Sequence, residues 1–113
     1  VDTYGGYNPG SSTSRYTAQV AGTYRFMGFV NMSNNVTGLR AARFLKNGAS
    51  IQGSSTRMNP SPSAGTTMVT EWDIPMLVND YVELQGYQAS GGNLATGVDA
   101  DTCSSLRVLW IHF

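Results

Sequence analysis

The sequence predicts an all-β domain, folded as a β-sandwich or a jelly roll. No stretch of twelve residues keeps a helical apolar period, whereas β-branched and aromatic residues gather in short segments bounded by Gly, Asn, Ser or Pro. About seven or eight strands at this spacing are typical of a sandwich or a jelly roll. The 113 residues have room for one hydrophobic core, so residues 1–113 are predicted to form a single domain.

Turn residues separate the predicted strands. Asn47-Gly48 is the strongest hairpin signal, because both central residues of a type I′ turn need a positive φ. Residues 21–22 and 79–80 mark two further turns, and Pro75 predicts an edge or bulged strand because it has no N–H to donate. The predicted strands are, in chain order, residues 14–20, 23–32, 39–46, 49–57, 67–77, 81–88 and 106–113, after a shorter extended piece near the N-terminus.

Three of these strands, 23–32, 81–88 and 106–113, carry apolar residues on both faces. In the first, Tyr24 and Phe26 point one way, whereas Met27 and Phe29 point the other. One sandwich has one interior, so we expect the second apolar face to be buried against other copies of the chain; the alternative is a monomer whose long loops cover it. The predicted core is Phe26, Val30, Ala42, Phe44, Trp72, Ile74, Met76, Val82, Leu84, Val108 and Trp110. The predicted interface between copies is Phe29, Tyr81, Tyr87, Leu109 and Ile111.

The charge pattern argues against several classes of protein. Seven basic and seven acidic side chains give no net charge, and the basic ones form no cluster of the kind that holds nucleic-acid phosphates. No apolar run approaches the roughly 18 residues of a membrane-spanning helix, so no membrane insertion is expected. Cys103 is the only cysteine and cannot form an internal disulfide. The start lacks both Met and a signal-peptide pattern, which indicates the C-terminal part of a longer chain.

The titratable residues do not predict an enzyme. His112 is the only histidine and the penultimate residue, and no nucleophile motif accompanies it. Glu71, Asp73 and Glu83 lie inside predicted strands beside apolar neighbours. We interpret them as solvated or salt-bridged side chains rather than as the acid and base of a glycosidase. A non-enzymatic protein is therefore expected.

Several sequence segments resemble the globular head domains of the complement one-q-like family, and they occur in the same order along the chain as in that family. They are YTAQVAGTYRF at 16–26, LKNG at 45–48, NDYVELQGYQ with SGG at 79–92, and the last strand around Trp110. The resemblance covers nearly the whole chain and implies the jelly roll that this family shares with tumour necrosis factor, assembled as a homotrimer with one sheet lining the axis. Two departures are Asn79, where the family has Gly, and the ending His112-Phe113.

The sequences of these segments are most similar to the form of the family that is found in bacteriophage tail and fibre proteins. The resemblance thus implies a trimeric virion head that binds a host-surface glycan or protein receptor. The alternatives are a secreted, extracellular bacterial adhesin or signalling ligand that binds a protein receptor and, least favoured, a polysaccharide depolymerase. The candidate receptor-binding residues lie in loops, and their amides and hydroxyls suit a neutral glycan: Asn34, Asn35, Asn59, Ser61, Ser90 and Asn93.

Asp99 and Asp101 are candidate metal ligands. They lie in the long loop before the last strand, where eukaryotic proteins of the resembled family carry an Asp/Asn-rich loop that holds Ca²⁺ near the trimer axis. Carboxylate oxygens suit Ca²⁺, and threefold symmetry would multiply two carboxylates into six. The alternative is that both side chains are simply solvated. No cofactor other than Ca²⁺ is expected.

Overall fold

The computed structural model describes residues 15–33, 35–61, 65–92, 94 and 104–113. Its strands are β1 (Tyr16–Thr17), β2 (Gly22–Met32), β3 (Arg40–Lys46), β4 (Ala49–Ser50), β5 (Thr56–Met58), β6 (Thr66–Met76), β7 (Tyr81–Gln88) and β8 (Ser105–His112). This part of the chain is all-β, as predicted, and includes no helix able to span a bilayer. The predicted strand 49–57 is two short strands, because Gly53 turns the chain between them with a φ of 90°.

Two antiparallel sheets form a β-sandwich. Sheet I has the order β1-β7-β3, and both β4 and β5 pair with the other side of β3. Sheet II has the order β6-β2-β8. Among the described strands β6 pairs only with β2, so it is an edge strand, which confirms the prediction made from Pro75.

The core lies between the inner faces of the two sheets. Phe26 of sheet II and Phe44 of sheet I are fully buried, and their ring centroids are 5.9 Å apart. The predicted core is confirmed for Phe26, Val30, Ala42, Phe44, Ile74, Met76 and Val82, which are buried. Leu84, Val108 and Trp110 are partly buried and pack against this core.

The prediction for Trp72 is wrong, since this residue is 39% exposed. Trp72 pairs with Phe26 and therefore lies on the inner face of sheet II. However, β6 is an edge strand, and the indole lies against Gly53 instead of in the centre of the sandwich. Alternation along a strand predicts the face of a residue but not its distance from the edge of the sheet.

Hydrogen bonds tie together two turns at one end of the sandwich. Asn47 and Gly48 have φ angles of 51° and 85°, as the predicted hairpin turn requires. The Asp80 carboxylate accepts hydrogen bonds from the Leu77 backbone N–H at 2.9 Å and from Asn47 Nδ2 at 3.0 Å. These two bonds, led by the one from Leu77, hold the pKa of Asp80 below its usual range. The carboxylate therefore fixes the β3–β4 turn against the β6–β7 turn.

Candidate functional site

The outer face of sheet II carries exposed apolar side chains among charged ones. Val69, 44% exposed, pairs with the half-buried Phe29, and Leu109, 60% exposed, pairs with Arg25 two rows away. The half-buried Met27 lies in the row between them. Phe29 and Leu109 thus occupy one face, as predicted for an interface between copies. The predicted interface residue Ile111 is half-buried and lies where the β2–β8 register shifts.

The other two predicted interface residues, Tyr81 and Tyr87, lie on the outer face of sheet I. Tyr87 pairs with Ala41 and is 55% exposed, whereas the ring of Tyr81 is covered by the Arg15 guanidinium, 4.0 Å from the ring centroid. The prediction that one face unites all five interface residues is therefore wrong. Apolar residues on both faces of a strand do not reveal which sheet the strand joins, and β7 joins the sheet opposite β2 and β8.

Charged residues lie between the apolar side chains on the outer face of sheet II. Arg25 Nε lies 2.8 Å from Asp73 Oδ1, Arg25 Nη2 lies 3.1 Å from Asp73 Oδ2, and Glu71 Oε1 is 3.8 Å from Arg25 Nε. This confirms that Glu71 and Asp73 are salt-bridged. The hydrogen bonds from Arg25 hold the pKa of Asp73 below its usual range. A glycosidase acid needs a raised pKa, so Asp73, whose pKa is lowered, has the wrong electrostatics for that role.

Four of the six predicted receptor-binding residues lie in described loops that meet at one end of sheet I. On the two sides of β3, Arg40 pairs with Gln88 of β7 and with Met58 of β5. The loops that hold Asn35, Asn59, Ser61 and Ser90 leave the sheet beside this row of residues. The Ala89 backbone N–H donates to the Leu39 carbonyl at 3.1 Å, which joins two of the loops directly. Asn34 and Asn93 lie outside the described residues.

Arg40 organises this end of sheet I, and the sequence analysis missed it. Its side chain is fully buried. Nη1 donates to the Thr37 carbonyl at 2.9 Å and Nη2 to the Asn35 carbonyl at 3.0 Å, so the guanidinium holds the loop that precedes β3. The sequence signal was alternation: Ala42 and Phe44 were predicted to point inward, and Arg40 is two residues earlier on the same face.

The predicted calcium ligands, Asp99 and Asp101, lie outside the described residues, as does Cys103. In the described part of the chain, no three His, Cys, Asp or Glu side chains are close enough together to hold a metal ion.

No protein-family model matches this sequence, and no curated protein matches it.

Proposed function

We propose that this domain is a non-enzymatic, trimeric head of a phage tail-fibre or virion protein. It self-associates through the outer face of sheet II and binds a host-surface receptor with the loops at the Arg40 end of sheet I. The observation that carries the proposal is the exposure of apolar side chains on the outer face of sheet II, where Val69 is 44% and Leu109 60% exposed. The family resemblance of the sequence supplies the virion context.

The order of the strands supports a jelly roll of the tumour necrosis factor type. Strands that follow one another in the chain mostly alternate between the two sheets, and only β3, β4 and β5 stay in one sheet. Such crossings produce the Greek-key connections from which jelly rolls are built. The order β1-β7-β3-β5 in one sheet and β6-β2-β8 in the other fits this arrangement.

The surface chemistry of sheet II supports self-association. Interfaces commonly combine apolar side chains with a polar surround, and on this face the pair Phe29–Val69 and the exposed Leu109 lie among the charged residues Arg25, Glu71, Asp73 and Arg107. A chain with only 12% charged residues has little charge elsewhere to keep such a patch soluble. An apolar face alone does not fix the symmetry, so the threefold axis rests on the family resemblance.

Sedimentation equilibrium at micromolar concentration tests the assembly. We expect a trimer mass for the wild type and a monomer mass for Val69→Asp, because each of the three copies would bury a new carboxylate beside the apolar side chain of Phe29. Tyr87→Asp is the matched control: it places the same charge at an exposed position of sheet I, so the trimer should persist. A monomeric or dimeric wild type contradicts the proposed assembly, and dissociation by Tyr87→Asp alone contradicts the choice of sheet.

Binding of the labelled domain to intact host cells tests the role of the loops. Asn59→Ala and Ser90→Ala should each weaken binding, whereas Leu77→Ala, a 71% exposed position at the opposite end of the sandwich, should not. If protease treatment of the cells removes the binding and glycan removal does not, the receptor is a protein, as the adhesin alternative requires. If the domain releases new reducing ends from host polysaccharide, the non-enzymatic proposal is wrong.

A further inference from the structure

Arg43 and Arg57 differ from the other basic residues of this protein in their partners. The remaining five basic side chains have partners within the described structure. Arg25 and Lys46 pair with carboxylates, Arg40 with backbone carbonyls, and Arg15 and Arg107 with aromatic rings. Arg43 and Arg57 are both exposed, and no described carboxylate lies within ion-pair distance of either. Both belong to the outer face of sheet I, on the neighbouring strands β3 and β5.

A shallow groove lies between these two arginines, with a volume of about 330 Å³. Ala41 of β3 forms the floor of the groove because its side chain is small. It pairs with Tyr87 of β7 on one side and with Arg57 of β5 on the other. Arg43 of β3, Gln85 of β7 and Ser55, which immediately precedes β5, line the groove one step further along. Two strand spacings, about 10 Å, therefore separate the backbones that carry the walls formed by Tyr87 and Arg57.

The side chains of the groove are arranged for an anion attached to an organic ring. Arg43 Nε donates to Gln85 Oε1 at 2.7 Å, which orients the guanidinium and leaves its terminal nitrogens for a ligand. A guanidinium fork matches a carboxylate in shape and charge. The Tyr87 ring, 55% exposed on the opposite wall, offers the flat apolar surface on which sugar rings pack.

We propose that this groove binds a carboxylate-bearing sugar, such as a uronic acid, with the carboxylate at Arg43 and Arg57 and the ring over Tyr87. Glu83 lies one step beyond Gln85 on β7, is not among the residues that line the groove, and forms no ion pair with either arginine. Two arginines are too few to follow the many phosphates of a nucleic acid.

The inference rests on the proposed function, because the bound sugar would belong to the host-surface glycan that serves as the receptor. It does not need the trimer, because the groove lies on the sheet opposite the proposed interface and each copy of the chain carries the whole site.

Titration of the intact domain with D-glucuronate, followed by NMR chemical-shift changes, tests the proposal. Shifts should concentrate in β3, β5 and β7, and raised salt should weaken the binding because the contact is ionic. Arg57→Gln and Arg43→Gln should each reduce affinity about tenfold, since each removes a charged hydrogen-bond donor. Arg107→Gln removes one positive charge from sheet II and should leave affinity unchanged.

Three results would overturn the proposal: no saturable binding of glucuronate, equal binding of neutral glucose, or equal affinity in the two groove variants and the wild type. If inorganic sulfate competes as well as glucuronate, the groove is a general anion site and the sugar assignment is wrong. Sedimentation reports the trimer separately, so a failed titration with an intact trimer rejects the groove alone. A successful titration of a monomer rejects the proposed assembly alone.

Discussion

Truncation of Phe44 to Ala tests the position of the core. Phe44 is fully buried, packs against Phe26, and pairs with Leu84 across the ladder. Loss of a buried Phe side chain leaves a cavity as well as removing transfer free energy, so the free energy of unfolding should fall by about 3–5 kcal/mol. For a domain of this size, whose total stability is on the order of 5–15 kcal/mol, that loss would bring the variant close to unfolding at 25 °C.

Urea unfolding followed by circular dichroism measures the effect, at one protein concentration because association stabilises the folded state. Leu77→Ala is the control: the side chain is 71% exposed, so the change should stay within about 0.5 kcal/mol. If Phe44→Ala cost less than about 1 kcal/mol, the range of ordinary surface substitutions, the inner face of β3 would be wrongly assigned.

Two further changes test the turns and loops. Asp80→Ala should lower the free energy of unfolding by about 1–2 kcal/mol, because hydrogen bonds from Leu77 and Asn47 are lost. The hydrogen bond from Leu77 and then that from Asn47 hold the pKa of Asp80 below its usual range in the folded state, so the difference in stability should be complete above about pH 5 and disappear as the pH falls through the folded-state pKa; a difference that does not change with pH would contradict it. Gly38→Ala should lower the melting temperature more than Gly48→Ala: both glycines have positive φ, but a Cβ at Gly38 would overlap the Ala89 carbonyl, whereas a Cβ at Gly48 is 3.8 Å from its nearest neighbour. Equal decreases in melting temperature for the two variants would contradict the close approach of Gly38 to the Ala89 carbonyl.

The strands and their inward faces were largely predictable because they depend on local alternation. In residues 39–46, for example, Ala42 and Phe44 lie on one face of the strand and are buried as expected. Pro75 indicated an edge strand, but the exposure of Trp72 was not predictable, because it depends on the indole lying against Gly53, which is distant in the sequence. The position of Arg57 near Arg43 was not predictable either, because it follows from the pairing of β5 with β3.

The candidate sites depend on this long-range pairing even more than the core does. Phe29 and Tyr87 look equivalent in the sequence, each an aromatic residue on the second apolar face of its strand, yet β2 and β7 join different sheets. The surroundings of the two residues therefore differ. Phe29 lies beside the exposed Val69 and has the Arg107 guanidinium 5.9 Å from its ring centroid, whereas Tyr87 lies across Ala41 from Arg57, which has no described carboxylate within ion-pair distance. An aromatic ring beside an exposed apolar side chain favours burial against another protein surface. A ring across a groove from arginines that have no described carboxylate partner favours a polar ligand, so the two faces of the sandwich are suited to different partners.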